Sequence, residues 1–164
     1  MTFDLMLFSG GLLEKQAVSE IIKCNEITLR YGLVLSEQQA RELVETRGNS
    51  LKSSGRIEFG GGVIDKLITE FCDSPYIFQS NYSEVMHELI EIFYYYKNET
   101  LDLMSDDELI SFMKSCFDGK CQGSLELLKM RELEKMARNI RFGYDPGHRD
   151  EEDADAEEDE DEQY

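Results

Sequence analysis

Tyr82, Val85, Met86, Leu89, Ile92, Phe93 and Tyr96 follow one another mostly at steps of three and four residues. A chain can bury such a set together only by winding into an α-helix. At about 100° per residue they form one broad apolar stripe, and Asn81 stands where an N-terminal cap belongs. A stripe this wide needs other apolar faces to cover it.

The same spacing supplies those faces. Residues 14–31 place Ala17, Val18, Ile21, Ile22, Leu29 and Tyr31 near one side, with Gly32 as a stop. Ser36 and Gln39 make a capping-box pattern ahead of Ala40, Leu43, Val44 and Leu51, and Gly55 ends that segment. Val63, Ile64, Leu67, Ile68 and Phe71 mark a short helix before the turn Asp73-Ser74-Pro75. Ser105 with Glu108 is a second capping box, followed by Leu109, Ile110, Phe112, Met113 and Phe117 up to Gly119. Ser124 opens the last helix, with Leu125, Leu128, Leu133, Met136, Ala137 and Ile140 inward and Gly143 at its end. The expected fold is all-α, a compact bundle of about six helices. Only Thr2–Phe8 and Arg56–Phe59 alternate like strands, enough for at most a minor two-stranded ribbon near the N-terminus.

Charge divides the chain. Residues 145–164 hold 12 of the 35 acids and one of the 17 bases, leaving 23 acids and 16 bases for residues 1–144. The expected organisation is a helical globular domain at 1–144 and a disordered acidic tail at 145–164, since residues 150–163 have no apolar side chain larger than alanine. An acidic body repels nucleic acid and anionic membrane surfaces, so neither is expected to bind directly. No stretch approaches the roughly 20 apolar residues of a membrane helix, and Asp4 stands where a secretory leader carries a base. The expected location is the cytoplasm, with Cys24, Cys72, Cys116 and Cys121 as reduced, buried or half-buried thiols.

Three consecutive glycines interrupt this pattern in GRIEFGGGVIDKL, residues 55–67. Gly55 and Gly60 have the spacing of a Walker-type phosphate loop, but Gly61 and Gly62 take the places of the lysine and the hydroxyl. A dinucleotide fingerprint fails as well, with Asp65 where its third glycine belongs. What remains is a helix start whose free N–H groups, with Arg56, Glu58, Gly60, Gly61, Gly62 and Lys66, form a candidate ligand site for a carboxylate or phosphate. The stronger reading is structural, with glycine placed where a side chain does not fit.

The string GRIEFGGGVIDKLITEFCDSPYIF, with RYGLVLSEQQARELVETR before it and EIFYYYKNET and MARNIRFGY after it, resembles a family of small proteins from clostridia and related Firmicutes, known only as a domain of unknown function. The likeness covers about residues 5–144. It implies a bacterial cytosolic protein and brings no activity, cofactor or catalytic residue with it.

Other candidates are sparse. His87 lies among Glu84, Glu88 and Glu91 on what reads as a solvated helix face, and His148 sits by Pro146-Gly147. No catalytic residues, metal ligands or cofactor can be assembled from them. Tyr94, Tyr95 and Tyr96 turn away from one another on a helix, so at least one is exposed, and Tyr94 and Tyr95 are the candidate partner-binding residues. A homodimer is one way to bury such a patch. The pattern favours a non-enzymatic protein–protein interaction module with an unidentified partner, a basic protein being one option. The alternatives are a small-ligand-binding or enzymatic domain at Gly60–Gly62, and a tail that mimics nucleic acid.

Overall fold

The computed structural model describes residues 2–58 and 60–143, with side chains from residue 11 onward. The acidic tail and His148 lie outside the described residues. Within them the regular structure is entirely helical. α1 spans Thr2–Lys23; α2 is the single turn Asn25–Thr28, continued by a 3-10 turn, Leu29–Tyr31, that closes on Gly32 at φ 77°. α3 covers Glu37–Ser54, α4 Gly62–Phe71, α5 Tyr82–Glu99 and α6 Asp106–Asp118. α7 is one continuous helix made of Leu125–Leu127, a π-helical stretch Leu128–Leu133, and Glu134–Arg141.

Both capping boxes form. Ser36 accepts from the Gln39 amide and Ser105 from the Glu108 amide, and each partner side chain returns a bond to the cap's own N–H. Ser124 accepts from the Leu127 amide. Asn81 does not cap α5; its side chain turns back into the preceding loop, accepting from Phe78 N–H at 2.7 Å and donating to the Tyr76 carbonyl at 3.2 Å.

The ribbon expected from Thr2–Phe8 and Arg56–Phe59 is not there: residues 2–8 belong to α1 and residues 56–58 are irregular. A lone extended segment leaves backbone groups unpaired, whereas a helix satisfies them internally. Residues 33–35, which lie outside any helix, meet that need with side-chain amides. Asn25 exchanges two bonds with the Leu35 backbone, both 2.9 Å, and Gln79 exchanges two with Val34, at 2.8 and 2.9 Å.

α5 is the centre of the bundle, touching α3, α4, α6 and α7. Every residue of its predicted stripe is buried in one continuous core. Leu29 and Tyr31, expected inward, face solvent at 63% and 46% exposure, because the first helical run breaks at Cys24 and resumes in a new register. Thr46 meets His87 and Arg56 meets Asn98, so α3 and α5 run in the same direction. Tyr96 meets Lys129 and Glu99 meets Arg141, which aligns α7 with them. The C-termini of α3, α5 and α7 therefore share one end of the bundle.

Candidate functional site

The glycine loop is built around carboxylates belonging to the chain itself. Gly60 at φ 64° and Gly62 at φ 49° adopt left-handed backbone, which glycine takes at no steric cost. This folds the loop over three acids. A Cβ on Gly60 would lie 2.7 Å from Glu20 Oε1, one on Gly61 would run into the Asp65 carboxylate, and one on Gly62 into that of Glu58. At all three positions a side chain would have to push an acid's carboxylate out of its place.

Those acids also occupy the donors. Gly61 N–H donates to Glu20 Oε1 at 2.7 Å, and Val63 N–H, at the start of α4, donates to Glu58 Oε1 at 2.9 Å. Glu58 thereby takes the place of an external anion at the positive end of the helix. Arg47, from the middle of α3 and only 5% exposed, reaches Glu58 Oε1 at 3.3 Å and the Gly61 carbonyl at 3.1 Å. The Tyr94 hydroxyl donates to Glu58 Oε2 at 2.7 Å. Four segments are thus tied together: α1 through Glu20, α3 through Arg47, the loop through Glu58, and α5 through Tyr94.

Proton affinities follow the geometry. The Gly61 amide, helped by Gln16, holds the Glu20 carboxyl below the usual range. Asp65 is shifted upward, chiefly by burial. Cys24 donates to Asp65 Oδ1 at 3.6 Å, and burial together with the Asp65 charge pushes its thiol up to about 12. Burial also raises Cys72 and Cys121. A nucleophilic cysteine needs the opposite shift, so these three thiols are poorly suited to attack.

The ligand residues read from the sequence do not converge. Arg56 leaves the loop to bond Asn98 Oδ1 at 2.7 Å and both Asp102 oxygens at 2.8 and 2.9 Å. Lys66 pairs with Asp107 of α6 at 3.0 Å. Glu58, Gly60, Gly61 and Gly62 do come together, bonded or packed against the chain's own groups. His87 is half-buried, with Nδ1 2.6 Å from Thr46 Oγ1, and links α3 to α5. Of the tyrosines, Tyr94 is buried at 3% exposure while Tyr95 stands 52% exposed. Tyr95 lies between two open clefts, one of about 350 Å³ shared with Asn49, Ser53 and Asn98 and one of about 710 Å³ shared with Glu88, Leu125 and Met130. Among the described residues no group of His, Cys, Asp and Glu side chains is arranged to hold a metal ion, and no helix is long and apolar enough to cross a membrane.

Glu20 and Arg47 escaped the sequence reading, in which Asp65 figures only in place of a third glycine. For Arg47 a signal existed, because it stands four residues after Leu43 and four before Leu51, in register with a buried stripe. Glu20 and Asp65 carry none, since their roles depend on a loop more than 40 residues away for Glu20 and on side-chain volume for Asp65.

A model for a family of unknown function (DUF6323) matches residues 20–146. The chain belongs to that family. No curated protein and no solved structure matches it. The DUF6323 match begins at Glu20 and takes in the whole carboxylate clasp, together with Tyr95 and both of its clefts.

Proposed function

We propose that this DUF6323 domain is a protein-binding module of the cytoplasm and not an enzyme. The observation that carries the reading is Tyr95, 52% exposed between two buried neighbours on the central helix and flanked by open clefts on both sides. A tyrosine held on a rigid helix offers a large contact area and a polar tip with little conformational freedom to lose. The glycine loop supports the same reading, because its N–H groups at Gly61 and Val63 are already bonded to Glu20 and Glu58. An incoming phosphate would have to displace both carboxylates. The nucleic-acid-mimic reading concerns the tail, outside the described residues.

The test places a photo-crosslinking benzoylphenylalanine at position 95 in the complete chain and irradiates native cytosol. A single dominant protein adduct, suppressed by excess unmodified chain, is expected; an adduct of the chain with itself would identify a homodimer. Recovery of a bound metabolite with no protein adduct would overturn the reading.

A further inference from the structure

Of the two clefts beside Tyr95, the one toward α3 is walled mainly by amides and hydroxyls, Asn49, Ser50, Ser53, Ser54 and Asn98, and offers an incoming side chain little apolar surface. The one toward α7 offers more. Ile92 lines it from the core, Leu125 is half-buried there, and Tyr95 and Met130 stand 52% and 68% exposed. Its two walls are fixed to each other. The Tyr95 ring meets that of Tyr96 edge-to-face at 4.9 Å, and the Tyr96 hydroxyl donates to the Lys129 carbonyl, in the π-helical stretch of α7, at 2.6 Å. A preformed surface of this kind leaves little to be ordered on binding.

Charge selects what can lie on it. Glu88, Glu91 and Glu126 line the same cleft against one base, Lys129, and all four are exposed. Among the described residues none of these three carboxylates has a hydrogen-bond or ion-pair partner, unlike Glu58, Glu99 or Asp102 elsewhere on the surface. Glu88 and Glu91, three residues apart on one helix, repel each other, and a cation arriving between them relieves that repulsion. Two acidic occupants are disfavoured by the same sign: a second copy at net charge -18, and residues 145–164, with 12 acids and one base.

We propose that the cleft between α5 and α7 docks a basic amphipathic protein segment. An apolar side chain of the partner packs between Tyr95 and Met130, while Lys or Arg residues flanking it meet Glu88, Glu91 and Glu126. This rests on the protein-binding reading of Tyr95 and adds to it the cleft used and the chemistry of the partner.

Libraries of random short peptides panned against the full chain test it. Enriched peptides are expected to join Lys or Arg to a large apolar residue and to bind less tightly as salt rises. Glu88→Lys and Met130→Ala should each lower their affinity about tenfold, whereas Ser53→Trp, in the cleft toward α3, should leave it unchanged. All three positions are exposed, so each variant should melt with the parent. Parent-like affinity in Glu88→Lys or Met130→Ala would put the contact elsewhere, residues 145–164 included, and would overturn this docking site. A neutral or acidic consensus, or binding lost in Ser53→Trp, would overturn it too. If Tyr95→Ala abolishes binding in any of those cases, the module reading stands without it; no enrichment at all would defeat both.

Discussion

Gly61 and Gly62 are glycines because carboxylates occupy the space their side chains would need. Gly62→Ala meets both a left-handed φ and Glu58, and should cost more than about 2 kcal/mol in urea denaturation. Gly48, inside α3, has nothing within 4 Å of its would-be Cβ; Gly48→Ala should therefore stabilise the fold by about 0.5–1 kcal/mol. Equal effects at the two positions would contradict the packing described. Cys24 gives a chemical check at the same scale. Its thiol, raised to about 12, should alkylate with iodoacetamide far more slowly than a free cysteine at neutral pH, and faster in Asp65→Asn. Residue by residue, the sequence marks the glycines as places where a side chain does not fit but not which atoms crowd them, because spacing along a chain carries no information about volume across a fold.

At the scale of elements the sequence was most readable where a signal is local. Ser36 with Gln39, and Ser105 with Glu108, announce helix starts through residues three apart, and both boxes form. The stripe on α5 is equally local and is buried throughout. Asn81 misled because an Asn side chain can bond the loop before it as readily as the helix after it. The π-helical stretch of α7 had no local signature. It is matched by a distant group: the buried Tyr96 hydroxyl donates to the Lys129 carbonyl at 2.6 Å and to Glu134 Oε1 at 3.1 Å. Tyr96→Phe leaves that carbonyl without its partner and should cost about 1–3 kcal/mol by thermal or urea denaturation. A neutral result would mean the π turn stands without it. Arg47→Ala should cost more, about 3–5 kcal/mol, because it removes a largely buried cation from Glu58 and a donor from the Gly61 carbonyl.

For the molecule as a whole, the clasp contributes to how stability responds to acid. Glu20 has a folded pKa below its ordinary 4.5, so its contribution is present above that value and drains away as pH falls through the lower folded one. Asp65 works in the opposite sense. Its folded pKa is raised above 3.8, so its contribution is complete below that value and is lost as pH rises through the higher folded one. Melting curves between about pH 3 and 7 should show a flatter acid limb for Glu20→Gln, and for Asp65→Asn a gain that is largest near neutrality. Reversed signs would mean that the two carboxylates are held differently. The common direction of α3, α5 and α7 was not legible in the sequence, since it rests on contacts such as Arg56 with Asn98 that join residues 42 apart.

The most direct measurement is a titration of the full chain with inorganic phosphate at neutral pH, following the backbone amide resonances of Gly60, Gly61 and Val63. With Glu20 and Glu58 already bonded to the Gly61 and Val63 amides, no saturable shift should occur at any of the three. A saturable shift confined to them would show that the loop opens to an outside anion, and would return the glycine run to the role of a ligand site.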